Sequence, residues 1–193
     1  THADRMAALV DDLLELSRLE SGDRAPEWEE TLPSEVAQDV TASFAGLATR
    51  KDISLRREDR GAPAVRTDPE RLRRVLENLV DNAVKYTPGG GSVAITTSAG
   101  PGGSARIEVA DNGPGIAPEH QARIFERFYR VDKARSRELG GTGLGLSIVR
   151  HLAEGMGASV SVESEPGRGA RFTVILPAAL PGKPGSALPG KPV

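Results

Sequence analysis

The segment between Thr67-Asp68-Pro69 and Pro88-Gly89-Gly90-Gly91 constrains this chain more than any other. The first triplet is a helix start with proline near the first turn, and the proline with three glycines is a stop. Between them Leu72, Val75, Leu76, Leu79, Val80 and Ala83 recur at helical spacing. A helix with one such stripe must lay it against another layer. Beside the stripe, Asn78, Asn82 and Lys85 fall at i, i+4 and i+7 and share a polar face. Asparagine inside a helix is mildly unfavourable, which favours a function for the pair over a merely solvated face.

The flanking pattern supplies the layer. Residues 27–32 alternate weakly around Trp28 and read as a strand. Pro33-Ser34 opens a helix with Val36, Val40, Phe44 and Leu47 on one face. Short strands are expected at 53–57 and 63–66, and a pair at 92–98 and 104–110 joined by a glycine-rich loop. Pro118 starts a short helix ending near Phe128, and a charged loop spans 129–142. A helix over 143–155 ends at Gly157, and strands at 158–164 and 170–176 close through Pro166-Gly167-Arg168-Gly169. Strands and helices are mixed without strict βα alternation. That order favours an α+β two-layer sandwich, a mixed, mostly antiparallel sheet covered by helices on one face, over a doubly wound sheet. Aromatic residues make up only 4% of the chain, so the core must be aliphatic.

Three divisions are expected. Residues 1–22 hold one helix, over 3–21, with Met6, Leu9, Leu13 and Leu16 at heptad spacing, Val10 and Leu14 widening the stripe and Gly22 as the stop. The stripe suits a bundle or dimer seam; packing on its own domain is the alternative. Residues 23–177 form the globular unit. Residues 178–193 repeat Leu-Pro-Gly-Lys-Pro at 180–184 and 188–192 and read as a disordered tail. The chain opens inside a helical pattern, as a piece of a longer protein would.

The net charge of −2 gives no footprint for nucleic acid. The absence of cysteine excludes disulfides and zinc–thiolate sites. No apolar run approaches the roughly 18 residues of a membrane span. His2, His120 and His151 are scattered, which argues against a histidine metal site.

Two further motifs join the amide helix. Asp111-Asn112-Gly113-Pro114-Gly115-Ile116 puts a carboxylate at a strand end, where Gly113 and Gly115 let a flat ligand approach. A carboxylate only accepts hydrogen bonds, and adenine offers an amine where guanine offers a carbonyl. A charged hydrogen bond of about 1.5–3 kcal/mol would favour ATP over GTP by roughly tenfold to a hundredfold. The same residues are strong turn sequence in any protein. Gly140-Gly141-Thr142-Gly143-Leu144-Gly145-Leu146 opens a helix and can present backbone N–H groups to phosphate. It lacks the Lys-Ser/Thr of a Walker loop and the strand context of a dinucleotide fingerprint. Neutral asparagine oxygens suit Mg²⁺, and Lys85 supplies a point charge for phosphate.

In this order and spacing the motifs resemble the ATP-binding domain of sensor histidine kinases, in the superfamily of gyrase, the Hsp90 chaperones and MutL. Residues 78–86 are similar to the family's N box and 111–116 to its first glycine box. Phe125-Glu126-Arg127-Phe128-Tyr129-Arg130 is similar to the F box, 140–146 to the second glycine box and Gly167-Arg168-Gly169 to the closing turn. Arg5-Met6 and Leu13–Glu20 resemble the second helix of the dimerisation and phosphotransfer bundle. The resemblance implies a Bergerat fold with ATP and Mg²⁺ as cofactors. Asp111 would bind the adenine amine, with Gly113, Gly115 and Ile116 around it and Tyr86 against the base. Asn82, assisted by Asn78, would hold Mg²⁺, and Lys85 would meet the phosphates. Arg130 and Arg135 or Arg137 would reach the terminal phosphates, while Gly141, Thr142, Gly143, Leu144 and Gly145 would line their path. The implied partners are a response-regulator receiver domain and a second copy through the bundle helices, in the cytoplasmic portion of a membrane-anchored sensor.

Position 78 discriminates among the relatives. The gyrase and Hsp90 branch carries a water-activating glutamate four residues before the metal-binding asparagine, and an amide cannot act as a general base. Glu77 lies about 100° round the helix. Slow hydrolysis is expected, as suits a kinase. The family's acceptor histidine lies on a first bundle helix in a His-Glu/Asp-x-x-x-Pro-like setting, and no such segment occurs here. An anti-sigma-factor type serine kinase and a non-catalytic nucleotide-binding module are the alternatives. The helix at 3–20 argues against the first, and Asp111, Asn82 and Lys85 against the second.

Overall fold

The computed structural model describes residues 25–132 and 141–178, with six helical positions before them: Met6, Leu9, Val10, Leu13, Leu14 and Ser17. The remaining positions of the expected 3–21 helix, its Gly22 stop, Arg135, Arg137, Gly140 and the tail from 179 lie outside the described residues. Of the described stripe positions, Met6, Val10, Leu13 and Leu14 are exposed and Leu9 is half-buried.

Five strands form the main sheet: β2 (Ser54–Arg60), β4 (Ser92–Ala99), β5 (Ala105–Asp111), β6 (Ser159–Ser164) and β7 (Ala170–Leu176). Their order is β2-β4-β5-β7-β6. β2 runs parallel to β4 and the other pairs are antiparallel. A separate two-stranded ribbon pairs β1 (Glu29–Thr31) with β3 (Val65–Thr67). The α+β sandwich read from the element order is therefore the fold.

One face of the sheet is covered by α1 (Pro33–Arg50), α2 (Pro69–Tyr86) and α4 (Gly145–Gly155). Val93, Ile95 and Thr97 of β4, Ile107 and Val109 of β5, and Phe172 and Val174 of β7 are buried at alternate positions. They meet Leu72, Leu76, Leu79 and Val80 of α2 and Ile148 and Val149 of α4 in one core. Each large aliphatic side chain so buried contributes about 1.5–3 kcal/mol. Phe172 is the one aromatic among the buried hydrophobic residues described.

The start of α2 is over-determined. Asp68 is almost fully buried and caps the helix by accepting from the Arg71 N–H at 3.0 Å. It also accepts the Glu27 N–H at 3.0 Å and pairs with Arg71 Nε at 3.3 Å. One carboxylate thus ties the segment before β1 to the helix that carries the amides. Asp68→Ala removes the cap and strands a buried donor, an expected loss of about 2 kcal/mol. The check is a lower urea midpoint at unchanged m-value.

Three local expectations shift. β2 continues to Arg60 instead of stopping at 57, because Asp59 and Arg60 keep the ladder to Thr97 and Ser98. β3 starts at Val65, two residues after Pro63, which has no N–H to give a ladder. The helix opened by Pro118, α3 (Pro118–Gln121), stops well short of Phe128. Beyond it Ile124 is buried and Phe125 stands edge-on to Phe172 at 6.3 Å, so the chain turns to follow the core.

Candidate functional site

The alternation that buries Ile107 and Val109 carries Asp111 onto the same face of β5, at its end. Its Oδ1 accepts the Gly113 N–H at 2.8 Å and the Ala170 N–H at 3.3 Å. Both bonds fall on Oδ1, and Oδ2 takes neither. Burial pushes the Asp111 carboxyl above the usual carboxylate range, against the pull of the Gly113 and Ala170 donors. The turn is stitched to the β6–β7 hairpin: Gly167 N donates to the Pro114 carbonyl at 2.7 Å, and Ile116 N to Ser164 Oγ at 2.8 Å.

On α2, Asn78 Nδ2 donates to the Arg74 carbonyl one turn back, at 2.9 Å. Its Oδ1 thereby faces the first residue of α4. A Cβ on Gly145 would stand 2.9 Å from that oxygen and 3.9 Å from Asn82 Nδ2. The missing side chain lets both amides converge on the N-terminus of α4. Lys85 Nζ pairs with Asp81 at 2.5 Å, both half-buried.

The glycine segment and the 125–130 segment hold each other. Phe128 N donates to the Gly143 carbonyl at 2.9 Å, and Arg130 Nη2 donates to the Gly141 carbonyl. Phe128 and Gly143 both take left-handed backbone, with φ of 60° and 79°. A Cβ at 143 would press on the Phe128 backbone at 3.1 Å, so glycine is needed there for space as well as for φ. Thr142 Oγ1 accepts the Leu144 N–H at 3.2 Å just before α4 begins.

Together these elements wall a cavity of about 720 Å³. Asn78, Asn82, Lys85, Tyr86, Asp111, Gly115, Ile116, Arg130, Gly141, Thr142, Gly143 and Gly145 line it. Two expected residues stand apart. Gly113 is buried behind the turn, and Leu144 sends its side chain into the core with no exposure, because an apolar residue here completes the α4 packing. The wall also holds Arg74, Glu77 and Asp81 from α2, Ser43 and Phe44 from α1, and Tyr129. Arg74 and Asp81 were missed from the sequence, where their signal is their place four residues before and three after Asn78 on one helix face; Phe44 carries no motif. Glu77 lines the wall despite its angle from Asn78, and its carboxylate lies 3.7 Å from Arg74 Nη1.

A model of histidine kinase-, DNA gyrase B- and HSP90-like ATPases matches residues 67–180, from the end of β3 through the closing hairpin. The chain belongs to that ATPase family. Within the family it is similar to the sensor-like histidine kinase SenX3 of Mycobacterium tuberculosis, 40% identical over 178 residues, 92% of this chain and 43% of SenX3. Full-length ShkA in complex with AMPPNP superposes with a TM-score of 0.81 at 36% identity, over 94% of this chain and 37% of that one. The histidine kinase ThkA in complex with the response regulator protein TrrA gives 0.73 at 26% identity, over 92% and 48%. This ATPase-family chain thus spans less than half the length of these relatives. Its described histidines sit in local contacts: His120 Nδ1 lies 2.7 Å from the Tyr129 hydroxyl, and His151 is half-buried on α4.

Proposed function

We propose that this chain is the ATP-binding catalytic part of a two-component sensor histidine kinase. It would pass the γ-phosphoryl group to a histidine outside the chain, for relay to a response-regulator aspartate. The observation that carries this is the convergence of three subsites on one cavity: the Asp111 acceptor, the Asn78–Asn82 amides and the glycine-rich entry to α4. The AMPPNP held by ShkA and the response regulator bound by ThkA support the choice of ligand and partner.

Asp111 Oδ2 accepts from the adenine amine, and Tyr86 lies along the base. The α4 N-terminus and the N–H groups of Gly143 and Gly145 face the phosphates, with Lys85 and Arg130 from either side. Arg135 and Arg137 belong to the same segment and could add further charge. The residues present fit Mg²⁺: Asn78 and Asn82 offer neutral, hard oxygen donors beside the phosphate path, and a divalent ion would draw its other ligands from phosphate and water. Bound there, the ion would neutralise phosphate charge. Transfer is in-line: a histidine imidazole nitrogen bonds to the γ-phosphorus as the bond to the ADP oxygen breaks. The chain's residues act by positioning and charge neutralisation. Asn78 occupies the water-activating position and cannot take a proton, which separates kinase from hydrolase chemistry. The exposed apolar residues Met6, Val10, Leu13 and Leu14 fit a bundle seam with a second copy.

Calorimetric titration with Mg-ATP tests the reading. Saturable binding is expected, with negligible steady-state ATPase and no acid-labile phosphohistidine on the chain alone. Supplying an acceptor-bearing bundle helix in trans should restore phosphohistidine formation on that helix. No binding heat would leave a non-catalytic module, and turnover like that of a dedicated ATPase would reverse the choice of kinase.

A further inference from the structure

A second cation is built into the end of α2. Lys51 follows α1 directly, and its Nζ donates to the Val84 carbonyl at 2.5 Å and the Lys85 carbonyl at 3.0 Å. Its backbone is pinned there: Asp52 takes a left-handed φ of 55°, its carbonyl accepts the Gly90 N–H at 2.7 Å, and Ser54 N donates to Gly91 at 2.9 Å. The α1–β2 corner is therefore locked to the loop after α2. Burial holds the Lys51 ammonium below the usual lysine range, while Asp81 raises it and Lys85 lowers it. The Lys85 whose carbonyl Lys51 holds is the residue whose side chain pairs with Asp81, one turn back on the same helix end.

The same helix end holds a conflict. Lys85 is engaged by Asp81 at 2.5 Å, and both residues line the cavity. When Lys85 meets a phosphate, its single positive charge is shared between Asp81 and the polyphosphate, and the carboxylate is left under-compensated beside the anion. Like charges at close range in a half-buried setting oppose binding.

We propose that Lys51 is a positioning residue for nucleotide binding: fixed on the last carbonyls of α2, it neutralises Asp81 when Lys85 turns to the phosphates. Capping alone is the simpler role, and it makes different predictions. A cap serves the whole helix end, Tyr86 included, so its loss would disturb base and phosphate alike. A counter-charge serves only the anionic part of the ligand, and only while Asp81 is charged. The inference rests on the phosphate role of Lys85 proposed above.

The test is calorimetry with Mg-ATP, and NMR titration with adenosine, on the unaltered chain, Lys51→Met, Lys51→Arg, Asp81→Asn and the Lys51→Met/Asp81→Asn double variant. Lys51→Met should weaken Mg-ATP by roughly three- to tenfold, the scale of a half-buried charge pair, and more at low salt than at high. Adenosine affinity should not change, and Lys51→Arg should recover most of the Mg-ATP affinity. In the Asp81→Asn background, adding Lys51→Met should cost less than about twofold. Unchanged Mg-ATP affinity in Lys51→Met overturns the inference. So does equal weakening of adenosine, or an undiminished effect beside Asp81→Asn. If the unaltered chain binds no Mg-ATP, the nucleotide reading falls and this inference with it; if it binds and Lys51→Met binds alike, only the inference falls.

Discussion

Asp111→Asn should lower ATP affinity by roughly tenfold to a hundredfold, the value of one charged hydrogen bond of about 1.5–3 kcal/mol. The fold should survive. Asparagine keeps an Oδ1 that can accept the Gly113 and Ala170 N–H groups at 2.8 and 3.3 Å. What changes is the second position, where an NH₂ donor replaces Oδ2 and meets the adenine amine donor to donor. The loss should appear with adenosine as well as with ATP, because the altered contact is to the base. The preference for ATP over GTP should narrow with it. Calorimetry with the three ligands reads all of this; full ATP affinity in the variant would move the base elsewhere in the cavity.

The same carboxyl sets a pH dependence. Burial raises its folded pKa above the unfolded value, so the fold binds this proton more tightly than the unfolded chain does. Ionised Asp111 therefore costs stability above its folded pKa, and that cost disappears as pH falls through it. Base binding runs the other way, since the ionised carboxylate accepts a charged hydrogen bond from the amine and the protonated form only a weaker neutral one. Adenosine affinity should fall with acid at a pH above the ordinary carboxylate range, while Asp111 itself gives the fold no reason to open there. Asp111→Asn should lack this step. Adenosine is the probe of choice because the phosphates of ATP titrate as well.

The parts of the site that could be read from the sequence are those governed by local periodicity. The α2 stripe from Leu72 to Ala83 is buried throughout, and its bounds follow from Asp68-Pro69 and Pro88. Asp111 falls on the inward row because it continues Ile107 and Val109 with period two. The 122–130 segment could not be read that way. Its path depends on Phe128 at positive φ, and that conformation is held by Gly143, fifteen residues on in sequence. The inward turn of Leu144, between two glycines that line the cavity, likewise depends on the core beneath α4. Glu77 shows the limit of helical-wheel arguments: a wide cavity against a helix takes in residues 100° apart. Lys51 carries no motif, and its bonds to α2 exist only through the contact of the α1–β2 corner with the glycines after Pro88.

Gly169→Ala should damage both the fold and the site, although Gly169 does not line the cavity. Gly169 has φ +85°, which costs a non-glycine residue about 1–3 kcal/mol by itself. Space adds to conformation: a Cβ there would run into the Asp111 carbonyl oxygen and lie 2.8 Å from Asn112 Cα. Both obstacles are backbone, so no side-chain rotation relieves them. The Gly169 carbonyl also accepts from Ser164 Oγ at 2.6 Å, and the same hydroxyl accepts the Ile116 N–H at 2.8 Å. Moving the hairpin turn away from the clash would therefore pull on the 111–116 turn and displace the carboxylate. Gly167 provides the control, with φ +80° and nothing within 4 Å of its would-be Cβ. Gly167→Ala should show only the conformational cost, about 1 kcal/mol, with ATP binding intact. Gly169→Ala should lose at least about 3 kcal/mol in urea unfolding and lose ATP binding wherever it still folds. Equal losses in the two variants would mean that φ alone matters and that the contact between the hairpin and Asp111 does not hold the turn in place.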